Sequence, residues 1–446
     1  MDKKYTEMMP KDARFIIETL EDKGYEAYVV GGCVRDMIMG REPNDWDITT
    51  SATPDEVKTV FRRTYDTGIQ HGTVTVIVDE EHYEVTTYRI EGEYKDSRHP
   101  ESVSFVEDIT LDLSRRDFTM NAMAYHPTRG FVDPYNGRKH IAEQTIKSVR
   151  EAKARFTEDA LRILRAVRFA AQIGFKIEPQ TIEGIKACKG LLVNISKERI
   201  RDEFLKICVS DHPEYIDVLY ELELLPYILP EFIPAYTTPQ RNPHHIYDVA
   251  KHTIYTMKGV QKKPMIRLAA LLHDIAKPQT WTTDKKGRDH FYTHPEKGAV
   301  IAKAVLKDLR LDNQTIHQVS ELVRYHDYQM VYPLSRVEVK KLLGIIGEDL
   351  FDDLLELNRA DVKAQNPDQL ETKLERIELT RQVKVAVVEA RECYSIKQLV
   401  INGKDLIVAG YPKGKEIGEQ LEKALEYVLE HPERNEKEQL MEYLLG

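Results

Sequence analysis

The stretch Tyr28–Thr50, YVVGGCVRDMIMGREPNDWDITT, decides how the rest of the chain is read. A β-branched apolar run (Tyr28, Val29, Val30) passes through Gly31-Gly32 into a short apolar-patterned segment. The stretch closes with Asp45-Trp46-Asp47 ahead of Ile48-Thr49-Thr50. This order predicts strand, glycine turn, helix, strand. Two glycines at a strand-to-helix turn let the backbone approach a ligand closely, and the N–H groups at a helix start favour an anion. The turn therefore reads as a phosphate cradle, with Arg35 placed for a phosphate. In extended chain, side chains two apart share a face, so Asp45 and Asp47 present two carboxylates side by side. Such neighbours repel unless a cation lies between them, and hard oxygen donors beside phosphates suit Mg²⁺. The combination predicts metal-assisted phosphoryl or nucleotidyl transfer. Alone, a GG pair is a turn and a DxD a solvated loop; their order within one stretch favours the functional reading.

Working outward, 446 residues suffice for two to four domains, and 41% hydrophobic with 31% charged is ordinary for a soluble globular protein. No apolar run approaches the length of a membrane span, and the N-terminus MDKKYTEMMPKDAR lacks an apolar signal region, so a cytoplasmic protein with no membrane partner is expected. Cys33, Cys188, Cys208 and Cys393 lie scattered without CxxC spacing, which argues against a disulfide framework or a zinc-thiolate site. The net charge of −10 does not by itself suggest nucleic acid. Locally the sign inverts: Arg138–Arg168 carries nine Lys/Arg against four Asp/Glu, a strip able to meet an RNA backbone or simply a solvated helix face.

Before the decisive stretch, KDARFIIETLEDKG (11–24) reads as an amphipathic helix closed by Gly24. After it, a helix over 54–63 is expected behind Thr53, then a hairpin through Val74, Val76, Val78 and Tyr83 to Ile90. Glu84, on the second strand, could add a third carboxylate to Asp45 and Asp47, or face solvent. Residues 91–104, EGEYKDSRHPESVS, read as a mobile loop. In SRRDFTMNAMAYHP, Arg115 and Arg116 supply cationic forks, and Asp117 and Asn121, four apart on an expected helix, share a face suited to ribose hydroxyls. In RFTEDALRILRAVRFAAQIGF (155–175), Thr157 is expected to cap a helix along one face of which run Asp159, Arg162 and Arg165. Cytosine and adenine both offer an amino donor beside a ring-nitrogen acceptor, whereas uracil and guanine offer the reverse. A carboxylate next to a guanidinium therefore accepts C and A and rejects U and G. An intrahelical salt bridge is the plainer alternative.

These motifs also carry a resemblance. GGCVRDMIMGREPNDWDITTSATP, RRDFTMNAMAY, FVDPYNGRKHI, EDALRILRAVRF and ISKERIRDEFLKIC resemble, in order, the five motifs of the class II tRNA nucleotidyltransferases and their relatives the bacterial poly(A) polymerases. The resemblance implies an α+β fold, with a small polymerase-β-like head (mixed sheet plus helices) followed by an all-helical neck, body and tail. It implies a catalytic head at 1–140, a neck with the base-selecting helix at 141–235, an HD-type domain at 236–345 and an RNA-binding tail at 346–446. Asp45, Asp47 and Glu84 would be catalytic, with Asp45 and Asp47 holding Mg²⁺ and Glu84 an optional third ligand; Gly31, Gly32 and Arg35 would take the triphosphate; Arg116, Asp117 and Asn121 the ribose side; Asp159 and Arg162 the base, with Arg165 also binding the nucleotide. The partners implied are CTP, ATP and a tRNA 3′ end, with a monomer or homodimer. Asp133 in the third motif and Arg199 with Glu203 in the fifth read as structural supports. The loop at 91–104 is full length, which the family associates with switching from C to A addition. Full CCA addition is expected, with A-only addition and poly(A) synthesis as neighbouring alternatives.

A second set of motifs, NPHHIYDVAKHT, LAALLHDIAKP, HFYTHPEKGA and LVRYHDY, resembles the HD phosphohydrolase superfamily. It implies a second divalent metal on His252, His273 and Asp274, with His294, His326 and Asp327 as weaker candidates. A phosphohydrolase whose nucleotidyl half is vestigial is the different-class alternative; a non-catalytic RNA-binding protein would need neither aspartate pair.

Overall fold

The computed structural model describes residues 3–92, 102–328 and 333–446, and the chain divides into two compact units, Met1–Ile228 and Leu229–Gly446. The strands of the first unit are β1 (Ala27–Val30), β2 (Ile48–Thr50), β3 (Thr64–Gly68), β4 (Thr73–Val78), β5 (Glu81–Thr87), β6 (Arg89–Glu91), β7 (Val103–Phe105), β8 (Ala124–His126) and β9 (Gly130–Val132). Seven of them build one mixed sheet in the order β3-β4-β5-β2-β1-β8-β9. Only β2 and β5 run parallel; the other neighbours are antiparallel. All four residues of β1 are buried, as its central position requires. The helix Lys11–Glu21 lays Ala13, Ile16, Ile17 and Leu20 on β1 and β2, the i, i+3, i+4, i+7 stripe of an amphipathic helix. The β4–β5 turn holds Asp79 and Glu80 at φ 46° and 69°, the left-handed pair that a two-residue hairpin demands.

Three local expectations are corrected. The ends of the expected 91–104 loop are ladder: Glu91 pairs with Val103 between β6 and β7, and Gly92 N–H bonds Ser102 O; its centre, 93–101, lies outside the described residues. Asp117 and Asn121 are not on an α-helix, because Thr119–Asn121 forms a single 3₁₀ turn after an extended Phe118. The segment 155–175, expected to be one helix, is two, Ala152–Glu158 and Leu161–Ile173, broken at Asp159 (φ −137°, ψ 104°). Thr157 lies inside the first of these, its hydroxyl donating to Lys153 O, so it caps nothing. Asp159 takes the cap role instead, accepting from Leu161 N at 3.1 Å.

The second unit packs helices Val249–Gly259, Pro264–Leu272, His294–Asp308, Asn313–Tyr325 and Glu348–Lys363 around one another. A separate apolar cluster over Cys393–Leu444 closes the tail. The part after the head is not wholly helical: Thr145-Ile146 pairs with Lys176-Ile177, and Thr282-Thr283 with Asp289-His290. Among the described residues no helix is long and apolar enough to cross a membrane, and all four cysteines are buried and outside any disulfide.

Candidate active site and a second, histidine-rich centre

Gly31 leaves β1 at φ +83° and ψ −125°, a conformation essentially restricted to glycine. A Cβ there would stand 2.5 Å from Arg116 Nη1, so Gly31 also makes room for that guanidinium. The Gly31 N–H is bonded to Met123 O, which leaves the first turn of the helix Gly32–Ile38 to offer donors. Asp47 O accepts from Val30 N at 3.0 Å, tying the DxD segment to β1. Because Ile48 lies opposite Val85 in parallel register, Asp47 is brought beside Glu84. Burial raises the Asp47 carboxyl, Asp45 adds to the shift and Arg116 opposes it. Burial, then Asp47 and Asp45, likewise raise Glu84. Mutual repulsion of this kind marks a cation-binding set of hard oxygens, and the residues fit Mg²⁺. Among the described residues, Asp45, Asp47 and Glu84 do not converge as three donors within 4.8 Å.

Beside them lies a cavity of ≈ 390 Å³ lined by Gly32, Arg35, Asp47, Arg115, Arg116, Asp117, Asn121, Asp159, Leu161, Arg162, Arg165, Phe169 and Arg199. Six guanidiniums face three carboxylates there, a wall built for a polyanion. The 3₁₀ turn brings Asn121 Nδ2 to Asp117 Oδ1 at 3.1 Å, so the pair meets by a different geometry from the expected helix. Arg165 Nε and Nη2 both reach Asp117 Oδ2, at 2.8 and 2.6 Å. Burial would raise the Asp117 carboxyl; the Arg165 guanidinium and the Asn121, Arg165 and Phe118 donors overcome it and hold the group well below the carboxylate range. Arg165 is thus paired with Asp117, while it lines the same cavity as Asp159 and Arg162. Asp159 and Arg162 do not pair with each other: Asp159 meets Arg199 at 3.3 Å, and Arg162 Nη1 meets Glu158 Oε2 at 2.9 Å. Glu158 stands four residues before Arg162, the spacing of an intrahelical salt bridge, and is the partner the sequence reading left out. Asp133 caps Gly137–Ala142 through the Gly137 and Arg138 N–H groups, and Glu203 holds Arg168 at 2.5 Å.

A depressed carboxyl has a stability consequence. Asp117 ionises more readily folded than unfolded, so its contribution is present above its unfolded value of about 4 and is lost as pH falls below that. Asp117→Asn is expected to cost about 1–2 kcal/mol at pH 7, since the half-buried Arg165 loses a charge-assisted pair but keeps access to solvent. Urea melts at pH 7 and pH 3 check this: the deficit should shrink at the lower pH.

In the second unit, His252 lies on Val249–Gly259, whereas His273 and Asp274 follow the end of Pro264–Leu272 rather than lying within it. Asp274 is the hub. His252, His273 and Asp274 form one set of donors within 4.8 Å, and Asp274, His294 and His326 form another. Oδ2 is 3.2 Å from His273 Nε2 and 3.5 Å from His252 Nε2; Oδ1 is 3.4 Å from His294 Nε2 and 3.7 Å from His326 Nε2. The four Nδ1 atoms lie against the carbonyls of Ala364, Ala270, Phe291 and Val323. That arrangement protonates Nδ1 and turns each Nε2 inward as a lone-pair donor, the outer support that metal-binding histidines need. Asp274 Oδ2 is buried without a well-formed hydrogen bond, although Lys277 Nζ is 2.6 Å away. Buried, the Asp274 carboxyl is nevertheless held well below its usual range by His273 and Lys277. Asp361, 2.9 Å from His252 Nε2, completes the cluster; no local motif flags it, and it lies beyond residue 345. Asp327 joins neither set but lines the adjoining ≈ 790 Å³ cavity with His244, Lys277, Arg288, Lys373 and Arg376.

The first unit is thus that of a nucleotidyltransferase: a mixed-sheet head with a glycine turn, an aspartate pair and an arginine-walled cavity. Residues 27–147 match the Poly A polymerase head domain, 174–236 the Probable RNA and SrmB-binding site of polymerase A, and 292–444 the tRNA nucleotidyltransferase domain 2. A CCA-adding enzyme of Enterococcus faecalis is 33% identical over 440 residues, covering 97% of this chain and 95% of that one. One from Lactobacillus helveticus is 49% identical over 197 residues, a match spanning 44% of this chain and about half (49%) of that relative. The crystal structure of Bacillus stearothermophilus CCA-adding enzyme in complex with CTP superposes with a TM-score of 0.71, 28% identity and 98% coverage of both chains. The chain belongs to the CCA-adding enzyme family.

Proposed function

We propose that this family member completes tRNA 3′ ends with CCA from CTP and ATP, releasing pyrophosphate, and that the ≈ 390 Å³ cavity is where the incoming nucleotide is held. The observation that carries this reading is the lining itself: Asp47, the arginine wall and both base readers, Asp159 and Arg162, share one space. Gly32 and Arg35 bind the triphosphate, with Gly31 giving Arg116 its place; Asp117 and Asn121 take the ribose hydroxyls; Asp159 and Arg162 present a carboxylate and a guanidinium to the amino group and ring nitrogen of C or A. Mg²⁺ held by Asp45 and Asp47, with Glu84 beside them, would activate the RNA 3′-hydroxyl and offset charge on the α-phosphate. The arginine wall holds and orients the leaving pyrophosphate. The protein works in the cytoplasm as a monomer or homodimer, with a head (1–140), a neck (141–235) that runs across the boundary of the two compact units, an HD body (236–345) and a tail (346–446) whose Asp361 reaches the HD cluster.

The test is incorporation into tRNA transcripts ending at the discriminator base, at C and at CC, with CTP and ATP supplied separately and together. Completion of all three to CCA followed by arrest is the expected result. A single A added only to the CC-ending transcript would make this an A-adding enzyme, and a long A tail on unrelated RNA a poly(A) polymerase.

A second reading rests on the histidine centre. The two donor sets sharing Asp274 fit a pair of divalent metals, and the adjoining cavity with Lys277, Arg288 and Lys373 fits a phosphate ester. Hydrolysis of phosphate esters is the activity that centre supports, independent of nucleotide addition.

A further inference from the structure

Phe169 is the one aromatic side chain among the described residues lining the nucleotide cavity, and it is 6% exposed. Its ring is occupied by cations. Arg168 lies over it with Cζ 3.7 Å from the centroid, while Arg35 and Arg165 approach with Cζ at 5.3 Å each. Almost wholly buried and approached by three guanidiniums, the ring has little open area on which a base could stack. What it does offer is a quadrupole that attracts guanidiniums and fixes their planes. The two cavity arginines it holds are those whose far ends engage the ribose-side pair: Arg35 Nη1 donates to Asn121 Oδ1 at 2.9 Å, and Arg165 is bonded to Asp117 through two nitrogens. Arg35 comes from the first motif, Asp117 and Asn121 from the second, and Arg165 from the helix Leu161–Ile173. No hydrogen bond joins Arg35 to Arg165, and like charges converging on one wall repel. Asp36, which takes Arg35 Nε and Nη2 at 2.9 Å each, and Asp117 neutralise much of that repulsion, and the ring's quadrupole adds to the offset while fixing both planes.

We propose that Phe169 is a positioning residue for nucleotide addition: it orients Arg35 and Arg165 together and so sets how the phosphates and ribose of any incoming nucleotide are gripped, without taking part in the choice between C and A. The inference rests on the nucleotide-cavity reading above. Phe169→Leu removes the quadrupole and keeps an apolar side chain. It is expected to raise KM for CTP and for ATP by about tenfold each, to leave their ratio unchanged, and to change kcat far less. Phe169→Tyr, which keeps the ring, should restore both KM values to near those of the unaltered enzyme. Arg35→Lys keeps the charge and loses the planar fork; its cost should be smaller when combined with Phe169→Leu than alone, because ring and guanidinium act as one unit. Should Phe169→Leu fail to fold by thermal melting, Phe169→Met is used for the same comparison. KM values within twofold of the unaltered enzyme, a changed preference between CTP and ATP, or strict additivity with Arg35→Lys would each overturn the proposal. An unaltered enzyme that incorporates neither nucleotide would instead refute the cavity reading on which it rests.

Discussion

Asp47→Ala is expected to abolish nucleotide addition, lowering kcat by about 10³-fold or more, because a metal clamp on the reacting phosphate is worth several kcal/mol of barrier. Asp45→Ala should do the same. The stability readout runs the other way. The Asp47 carboxyl is raised in the folded protein by burial and by Asp45. A carboxyl raised on folding favours the native state below its unfolded value, and that advantage is lost as pH rises through the folded one. At neutral pH ionised Asp47 therefore costs stability, so Asp47→Asn should melt at the same temperature as the unaltered protein or higher while losing addition. Activity lost with stability kept is the pattern of a functional carboxylate; a fall in both would make Asp47 a structural residue. Glu84, exposed at the neighbouring register position, is expected to show a smaller defect as Glu84→Ala. Unchanged addition in both aspartate variants would sink the assignment.

The parts of this site legible in the sequence are those encoded within one local pattern. Gly31-Gly32 after a β-branched run announces a turn because the backbone there needs φ +83°, and the DxD spacing announces two carboxylates because an extended chain has a period of two. The HD pair and its upstream histidine are read the same way. Elsewhere the local period misleads. Asp117 and Asn121 are four apart, which fits a helix equally well as the 3₁₀ turn that is present. Asp159, Arg162 and Arg165 recur every three residues, and nothing in that spacing reveals that the Asp159 side chain caps Leu161 and breaks the helix before it reaches Arg162. Asp159, at the break, meets Arg199, whereas Arg162 meets Glu158 at the i, i+4 spacing a continuous helix would also give, so the two residues expected to read the base are held in separate ion pairs. Asp361 is illegible for a third reason. It reaches His252 only through packing of Glu348–Lys363 on Val249–Gly259, and tertiary packing leaves no short-range signature.

The same packing makes the second large effect predictable. Asp274 is the carboxylate common to both donor sets, so Asp274→Asn should abolish hydrolysis of p-nitrophenyl phosphate and bis-p-nitrophenyl phosphate, by about 10³-fold or more, and leave nucleotide addition in place. Since Lys277 would then be buried beside a neutral amide, a stability loss of about 3 kcal/mol is also expected, and activity alone would not separate metal loss from misfolding. Metal content and ligand-linked melting do. A site that binds only in the folded state raises the melting temperature in proportion to the logarithm of free metal. The unaltered protein should therefore gain stability on titration with Mn²⁺, Ni²⁺ or Zn²⁺ and lose it to a chelator, whereas Asp274→Asn should show neither response. His252→Ala and His294→Ala, each touching one set, should each remove about half of the bound metal if the sets hold separate ions. No metal above background in the unaltered protein, with no melting response to any of the three ions, would leave the histidines as buried packing whose Nε2 atoms converge on Asp274 for charge compensation alone. The inward aim of all four Nε2 atoms, each ring fixed from behind by a carbonyl, argues for metal, because charge compensation by itself would need only the His273 and Lys277 contacts that Asp274 already has.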